Sequence, residues 1–278
     1  MEVKIGLVQM SMSSDEAANL AKALRMVRES AKRGAQVVCL PELFSSLYFP
    51  QVEDALETPK SIPSEVTRAL SASARDNRVV LVGGSVFERY RGKSYNSCLV
   101  FDDRGVEIGR YRKVHIPQDP SFYEKDYFSA GSDYKVFETR FGNVAVLICF
   151  DQWYPEPARI CRLLGAQMLF YPTAIGTVRG IEQAEGSWQD AWETVQRGHA
   201  IANSVVVAAV NRVGIEDDME FWGGSFVSDQ FGKVLVRGDA KERVLLASCD
   251  LKLGEDIESG WGFRRNRRPD TYKRITGP

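Results

Sequence analysis

Short apolar, β-branched runs alternate along the chain with stretches that repeat an apolar position every three or four residues, a pattern that predicts an α/β protein. Residues 3–8 read as a first strand. Ser13 and Glu16 read as a capping box, and beyond them Leu20, Leu24, Val27 and Ala31 form one helical stripe. Gly34 ends that helix, and residues 36–40 read as a buried strand. Residues 64–77 predict a helix, 79–87 a strand, and 95–101 with 107–111 a hairpin about the turn at 102–105. A strongly apolar strand at 143–148 is followed by a helix at 155–164 and a strand at 167–171. The helix at 188–203 carries Trp188, Trp192, Val195, His199 and Ala202 on one face. Strands at 205–210, 224–228, 233–236 and 244–250 complete the pattern. No linker, repeat or low-complexity stretch interrupts it, which predicts one domain over residues 1–278. Its polar, basic tail at 255–278 is expected to pack on the body or on a neighbouring subunit.

Composition narrows the function classes. The chain has 278 residues, 44% hydrophobic and 26% charged, enough to bury a large core. A formal net charge of −1 provides no field that would draw it to nucleic acid or to an anionic membrane. The arginines at 264, 265, 267 and 268 are read as contacts with acidic residues of a neighbouring subunit rather than as a nucleic-acid patch. No apolar run approaches the roughly 18–20 residues of a membrane helix, and the first ten residues read as a strand, not a signal peptide. The five cysteines are odd in number, dispersed and without a Cys-x-x-Cys pair, so a reducing cytoplasm is expected and a disulfide framework is not. The two histidines have no metal-binding spacing, and neither a metal nor another cofactor is expected.

Three polar residues stand where apolar strands end: Glu42, Lys113 and Cys149. Sites in open α/β sheets gather at the carboxyl ends of strands. A thiol is mostly protonated near neutral pH and needs a base or a cation to become a nucleophile. A glutamate can take its proton and pass it to a leaving nitrogen. A lysine can lower the thiol pKa and stabilise a tetrahedral oxyanion. Taken singly, each residue has an ordinary explanation as a small core residue, a cap or a solvated charge.

The motifs around them change the balance. Pro-Glu-Leu-Phe at 41–44, Arg-Lys-Val-His-Ile-Pro at 112–117 and Ile-Cys-Phe-Asp-Gln-Trp-Tyr-Pro-Glu at 148–156 resemble the three signature blocks of the nitrilase superfamily of carbon–nitrogen hydrolases. Residues 122–128 are similar as well, and the likeness extends from about residue 3 to residue 272. The resemblance implies a four-layer α-β-β-α sandwich with pseudo-twofold character, homo-oligomers built from dimers, and a thioester intermediate. It implies Glu42 as general base and acid, Lys113 and the Phe150 N–H as oxyanion donors, Cys149 as nucleophile, and Glu124 as a second glutamate that positions substrate or lysine.

Phe150 and Asp151 after the cysteine resemble the amidase and carbamoylase branches, since nitrilases carry Trp-Glu there, and no arginine follows to hold a carboxylate. Segments 149–156, 170–176 (with Ala174 as a substrate contact) and 198–200 most resemble the N-carbamoylputrescine amidase branch. A small-molecule N-carbamoyl amine is therefore the expected substrate. Its distal ammonium would need a carboxylate, with Glu185 and Asp190 as candidates, and aromatic walls, with Tyr48 and Trp153 as candidates. One alternative is an amidase for an aliphatic or carboxylate-bearing amide or an N-carbamoyl amino acid, with Arg179 holding the carboxylate. A catalytically idle scaffold of the same fold is the alternative from another class, and the intact Glu-Lys-Cys set argues against it. His199 reads as a core or subunit-contact histidine, and His115 as a residue that orients the Lys113 loop. The Gly-Gly-Ser runs at 83–85 and 223–225 read as close backbone approaches.

Overall fold

The computed structural model describes residues 1–277. Its first sheet is eight-stranded. Arg243–Asp250 pairs antiparallel with Glu2–Gln9, which pairs in parallel with Val37–Cys39 and through it with Val80–Val82. Lys93–Phe101, Val86–Tyr90 and Lys60–Ser61 continue the sheet, and Glu107–Arg112 pairs with Lys93–Phe101. The second sheet is six-stranded, in the order Val234–Arg237, Phe226–Ser228, Val206–Val210, Met168–Pro172, Gly142–Val146, Val136–Thr139. A small third sheet joins Thr177–Val178, Met219–Trp222 and Val213–Glu216.

Burial explains the layering. Ile5, Leu7, Val37, Cys39 and Val82 of the first sheet share one core with Val144, Val146, Met168, Phe170 and Val206 of the second, so the two sheets pack face to face. On its other face the first sheet turns Val8, Val38, Leu40 and Leu81 toward the helices Glu16–Lys32 and Glu65–Asn77. The second sheet is covered on its outer face by Pro155–Leu163 and Trp188–Asn203, whose Ala158, Cys161, Trp192 and Ala200 are buried and where His199 stacks on Tyr171. The result is the expected α-β-β-α sandwich of the nitrilase-superfamily type. Central strands buried on both faces read as continuous apolar runs, which is why they were visible in the sequence.

Local details differ from the expectation. Asp15, not Ser13, caps the first helix by accepting from the Ala18 N–H at 3.0 Å. Ser13 instead donates to the Asn19 side chain. The helix buries Ala23, Met26, Val27 and Ser30, while Leu20, Leu24 and Ala31 are only partly covered. Small residues face the sheet because contact is close there: a Cβ on Gly6 would lie 1.9 Å from Ser30 Oγ. The expected tail begins inside the helix Lys252–Gly260, and Arg264 and Arg265 donate their backbone N–H groups to Glu258 of that helix.

Both Gly-Gly-Ser runs are close approaches. Gly84 has φ +64°, and a Cβ there would lie 2.3 Å from the carbonyl oxygen of Pro41, next to Glu42. Ser85 Oγ accepts from the Leu43 N–H at 2.9 Å. In the second half, Ser225 Oγ accepts from the Asn211 N–H at 2.9 Å, the same device repeated. Gly84→Ala is therefore expected to cost about 1–3 kcal/mol through backbone strain and the displaced loop. Urea denaturation will show this as a lower midpoint with an unchanged slope.

Candidate active site

The strand ends bring Glu42, Lys113 and Cys149 together. Glu42 lies three residues beyond Val37–Cys39, Lys113 directly follows Glu107–Arg112, and Cys149 opens a 3-10 turn, Cys149–Trp153, after Gly142–Val146. Glu42, Lys113 and Glu124 are fully buried. Lys113 Nζ donates to both oxygens of Glu124 at 2.7 Å and to Glu42 Oε1 at 3.0 Å. Glu42 Oε1 also accepts from Asn96 Nδ2 at 2.7 Å, whereas Glu42 Oε2 is buried without a partner. A buried carboxylate oxygen without a donor is expensive and marks a place where a proton can arrive.

Electrostatics assigns protonation states. Burial pulls Lys113 toward the neutral amine, but the charges of Glu124 and Glu42 overcome it and hold the ammonium above its ordinary value. Glu124 is raised, first by burial and then by Glu42, against the pull of Lys113. Cys149 is also raised well above an ordinary thiol, by burial and by the charge of Glu42, which outweigh the lowering effect of Lys113. At rest Cys149 is therefore a neutral thiol. Lys113 lowers the thiol pKa as expected, but burial and Glu42 outweigh it, so ionisation needs a base at the moment of attack.

Cys149 has φ +43°, a left-handed conformation for a residue with a side chain, so its turn must be held by its surroundings. Asp151 does much of this. Its Oδ2 accepts from the Ile148 N–H at 2.9 Å and from the Tyr111 hydroxyl at 2.6 Å. Its Oδ1 accepts from the His115 N–H at 3.0 Å and lies 2.7 Å from His115 Nδ1. One buried carboxylate thus ties the nucleophile turn to the lysine loop. The Phe150 N–H lies in the first turn of the 3-10 segment, where leading N–H groups have no partner within the helix. Cys149 Sγ faces the Ala174 carbonyl at 3.8 Å.

A cavity of about 490 Å³ opens beside Cys149. Trp153, Ile175, Ile181 and Trp188 supply apolar walls, and Asp119 and Glu185 supply carboxylates. Among the described residues lining it there is no arginine or lysine. Phe150 and Glu124 also reach it. Tyr48 does not: it is buried, its hydroxyl donates to Glu124 Oε1 at 2.8 Å, and its N–H to Glu216 Oε2 at 2.6 Å. Asp190 is an exposed residue in the first turn of the Trp188–Asn203 helix and lies outside the lining, as does Arg179. His199 is buried and held toward the neutral form by burial, with Nε2 2.8 Å from the Gln152 carbonyl.

The sequence pointed past Asn96, Asp119, Tyr111 and Arg212. Arg212 carried a usable signal, because it follows the apolar strand Val206–Val210 as Lys113 follows its own strand. Asp119 was not singled out, although the fold brings its loop to the cavity beside Cys149. Among the described residues no group of His, Cys, Asp or Glu is placed to hold a metal ion, and all five cysteines are free and buried. No described helix is long and apolar enough to cross a membrane.

The carbon–nitrogen hydrolase family matches residues 4–258. An N-carbamoylputrescine amidase of Arabidopsis thaliana is 38% identical over 98% of this chain and 94% of its own length. A citrullinase of Francisella tularensis is 38% identical over 98% of each. The crystal structure of a carbon–nitrogen hydrolase from Helicobacter pylori superposes with a TM-score of 0.92 at 36% identity, covering 99% of this chain and 98% of that one.

Two outcomes follow from the site. Alkylation of Cys149 by iodoacetamide, followed by mass spectrometry, should be slow at pH 7 and still accelerating at pH 9, because the raised thiol pKa leaves little thiolate below it. A rate already at its plateau at neutral pH contradicts the neutral-thiol resting state. Asp151→Asn places N–H groups against donors and should cost about 2–3 kcal/mol in urea denaturation.

Proposed function

The chain belongs to the carbon–nitrogen hydrolase family, and from that premise we propose that it cleaves the ureido group of an N-carbamoyl amine with a distal ammonium, N-carbamoylputrescine foremost. The observation that carries this reading is the charge of the cavity. Besides Glu124, which is paired with Lys113, the carboxylates Asp119 and Glu185 line it together with Trp153 and Trp188, and among the described lining residues no arginine or lysine opposes them. Such a space favours a cation on an aliphatic spacer and rejects a carboxylate. Arg179, which a carboxylate-bearing amide would require, lies outside the lining. The N-carbamoylputrescine amidase relative supports the same choice.

The chemistry needs only residues already placed. Glu42, through its free Oε2, takes the thiol proton as Cys149 attacks the ureido carbon. Lys113 and the Phe150 N–H stabilise the oxyanion. Glu42 returns the proton to the departing nitrogen, leaving a thiocarbamate on Cys149 (a thioester if the substrate is an amide). Water, deprotonated by Glu42, attacks that carbon and the thiol is reformed. The overall products are the amine, ammonia and carbon dioxide. Glu124 keeps Lys113 in place, with both its oxygens at 2.7 Å from Nζ.

Ammonia release is the test, over a panel of N-carbamoylputrescine, N-carbamoyl-β-alanine, N-carbamoyl amino acids, glutaramate and simple amides. N-carbamoylputrescine should have the highest kcat/KM. Glu185→Gln should raise its KM about tenfold, a loss of about 1.4 kcal/mol, and leave a neutral amide unaffected. Cys149→Ser should lower kcat about a thousandfold. Equal turnover of neutral and cationic compounds removes the substrate assignment. Near-normal turnover by Cys149→Ser removes the mechanism and restores the idle-scaffold reading.

A further inference from the structure

We propose that Arg212 is a positioning residue for the general base, acting with Glu216 through the backbone of the Glu42 loop; this rests on the assignment of Glu42 as base. Arg212 is fully buried, yet it lies outside the cavity lining. Its Nη2 donates to the carbonyl oxygens of Glu42 at 2.7 Å and Leu43 at 3.1 Å. Its Nη1 donates to both oxygens of Glu216, at 2.7 and 2.8 Å. Glu216 in turn accepts the Tyr48 N–H at 2.6 Å. The guanidinium carbon lies 5.1 Å from the Phe221 ring centroid, within reach of a cation–π contact. One ion pair thus grips the loop near both ends, at the carbonyls of 42 and 43 and at the amide of 48.

The loop needs such a grip. Leu43 has φ +47°, a strained conformation that persists only where its surroundings over-determine it. The Glu42 carboxylate is tethered through Oε1 alone, so the backbone decides where the free Oε2 lies. The same loop carries Tyr48, whose hydroxyl donates to Glu124. Arg212 and Glu216 therefore set the positions of both carboxylates around Lys113. Burying an ion pair returns little net stability compared with apolar packing, so its location behind the base points to geometry as its purpose.

Arg212→Lys keeps the charge and loses the planar fork. It should lower kcat about thirtyfold with KM within about threefold, since displacement of a catalytic group by an ångström costs that order of rate, while thermal unfolding stays cooperative. The distinguishing readout is the pH profile of Cys149 alkylation. The charge of Glu42 raises the thiol pKa, so Glu42→Gln should shift the profile to lower pH. Arg212→Lys should shift it the same way in the wild-type background and not at all in the Glu42→Gln background. Glu216→Asp, whose shorter carboxylate draws the guanidinium off the loop carbonyls, should show the same pattern and serves where Arg212→Lys does not fold. Wild-type kcat in the folded variants, or equal shifts in both backgrounds, overturns the proposal. If Glu42→Gln itself turns over normally, the base assignment fails instead.

Discussion

The site depends on one buried ammonium shared between two carboxylates. Lys113 has no access to water, and its three N–H donors are matched by Glu42 and Glu124 at 2.7–3.0 Å. Removing such charges from water is costly, and only close, well-directed pairing offsets it. Burial first, and then the charge of Glu42, keeps the Cys149 proton on sulfur, while Glu42 Oε2 stays without a partner. The cluster thus holds a neutral thiol rather than a preformed thiolate.

Holding this cluster requires groups that never meet the substrate. Asp151 joins the turn before Cys149 to the loop after Lys113. Arg212 and Glu216 hold the Glu42 loop from the second half of the chain. Ser85 accepts the Leu43 N–H, and Gly84 lets that strand end approach Pro41. Two left-handed residues, Leu43 and Cys149, lie within this frame. Strain at these two points is sustained because neighbouring polar groups are satisfied only when the chain takes that path.

How much of this was legible in the sequence follows from where the information resides. Strands such as Val206–Val210 and Met168–Pro172 are buried on both faces, so their apolar runs declare themselves. Glu42, Lys113 and Cys149 announced themselves as polar interruptions after such runs. Arg212 gave the same signal, but a basic residue after a strand has many ordinary explanations until its partners are seen. The cap at Asp15 rather than Ser13 shows the limit of local pattern, since both residues are competent caps and the Asn19 side chain decides between them. Tyr48 read as a cavity wall because it is aromatic and lies near Glu42, but its hydroxyl is needed at Glu124. Asp119 was not read as a cavity residue because its loop reaches the cavity only through the tertiary fold.

This division separates chemistry from selectivity. The groups proposed for bond cleavage are anchored on strand ends shared by both sheets and are buried, so their spacing is set by the core. The carboxylates that give the cavity its sign, Asp119 and Glu185, belong to exposed loop segments outside the sheets. Replacing either changes the field at the far end of the cavity without touching a hydrogen bond of the Lys113 cluster. The same core can therefore serve different amide and ureido substrates while the loops choose among them, as relatives named for different substrates at 38% identity illustrate. In this chain the loops present negative charge to the cavity, and the core holds the groups proposed as base and nucleophile.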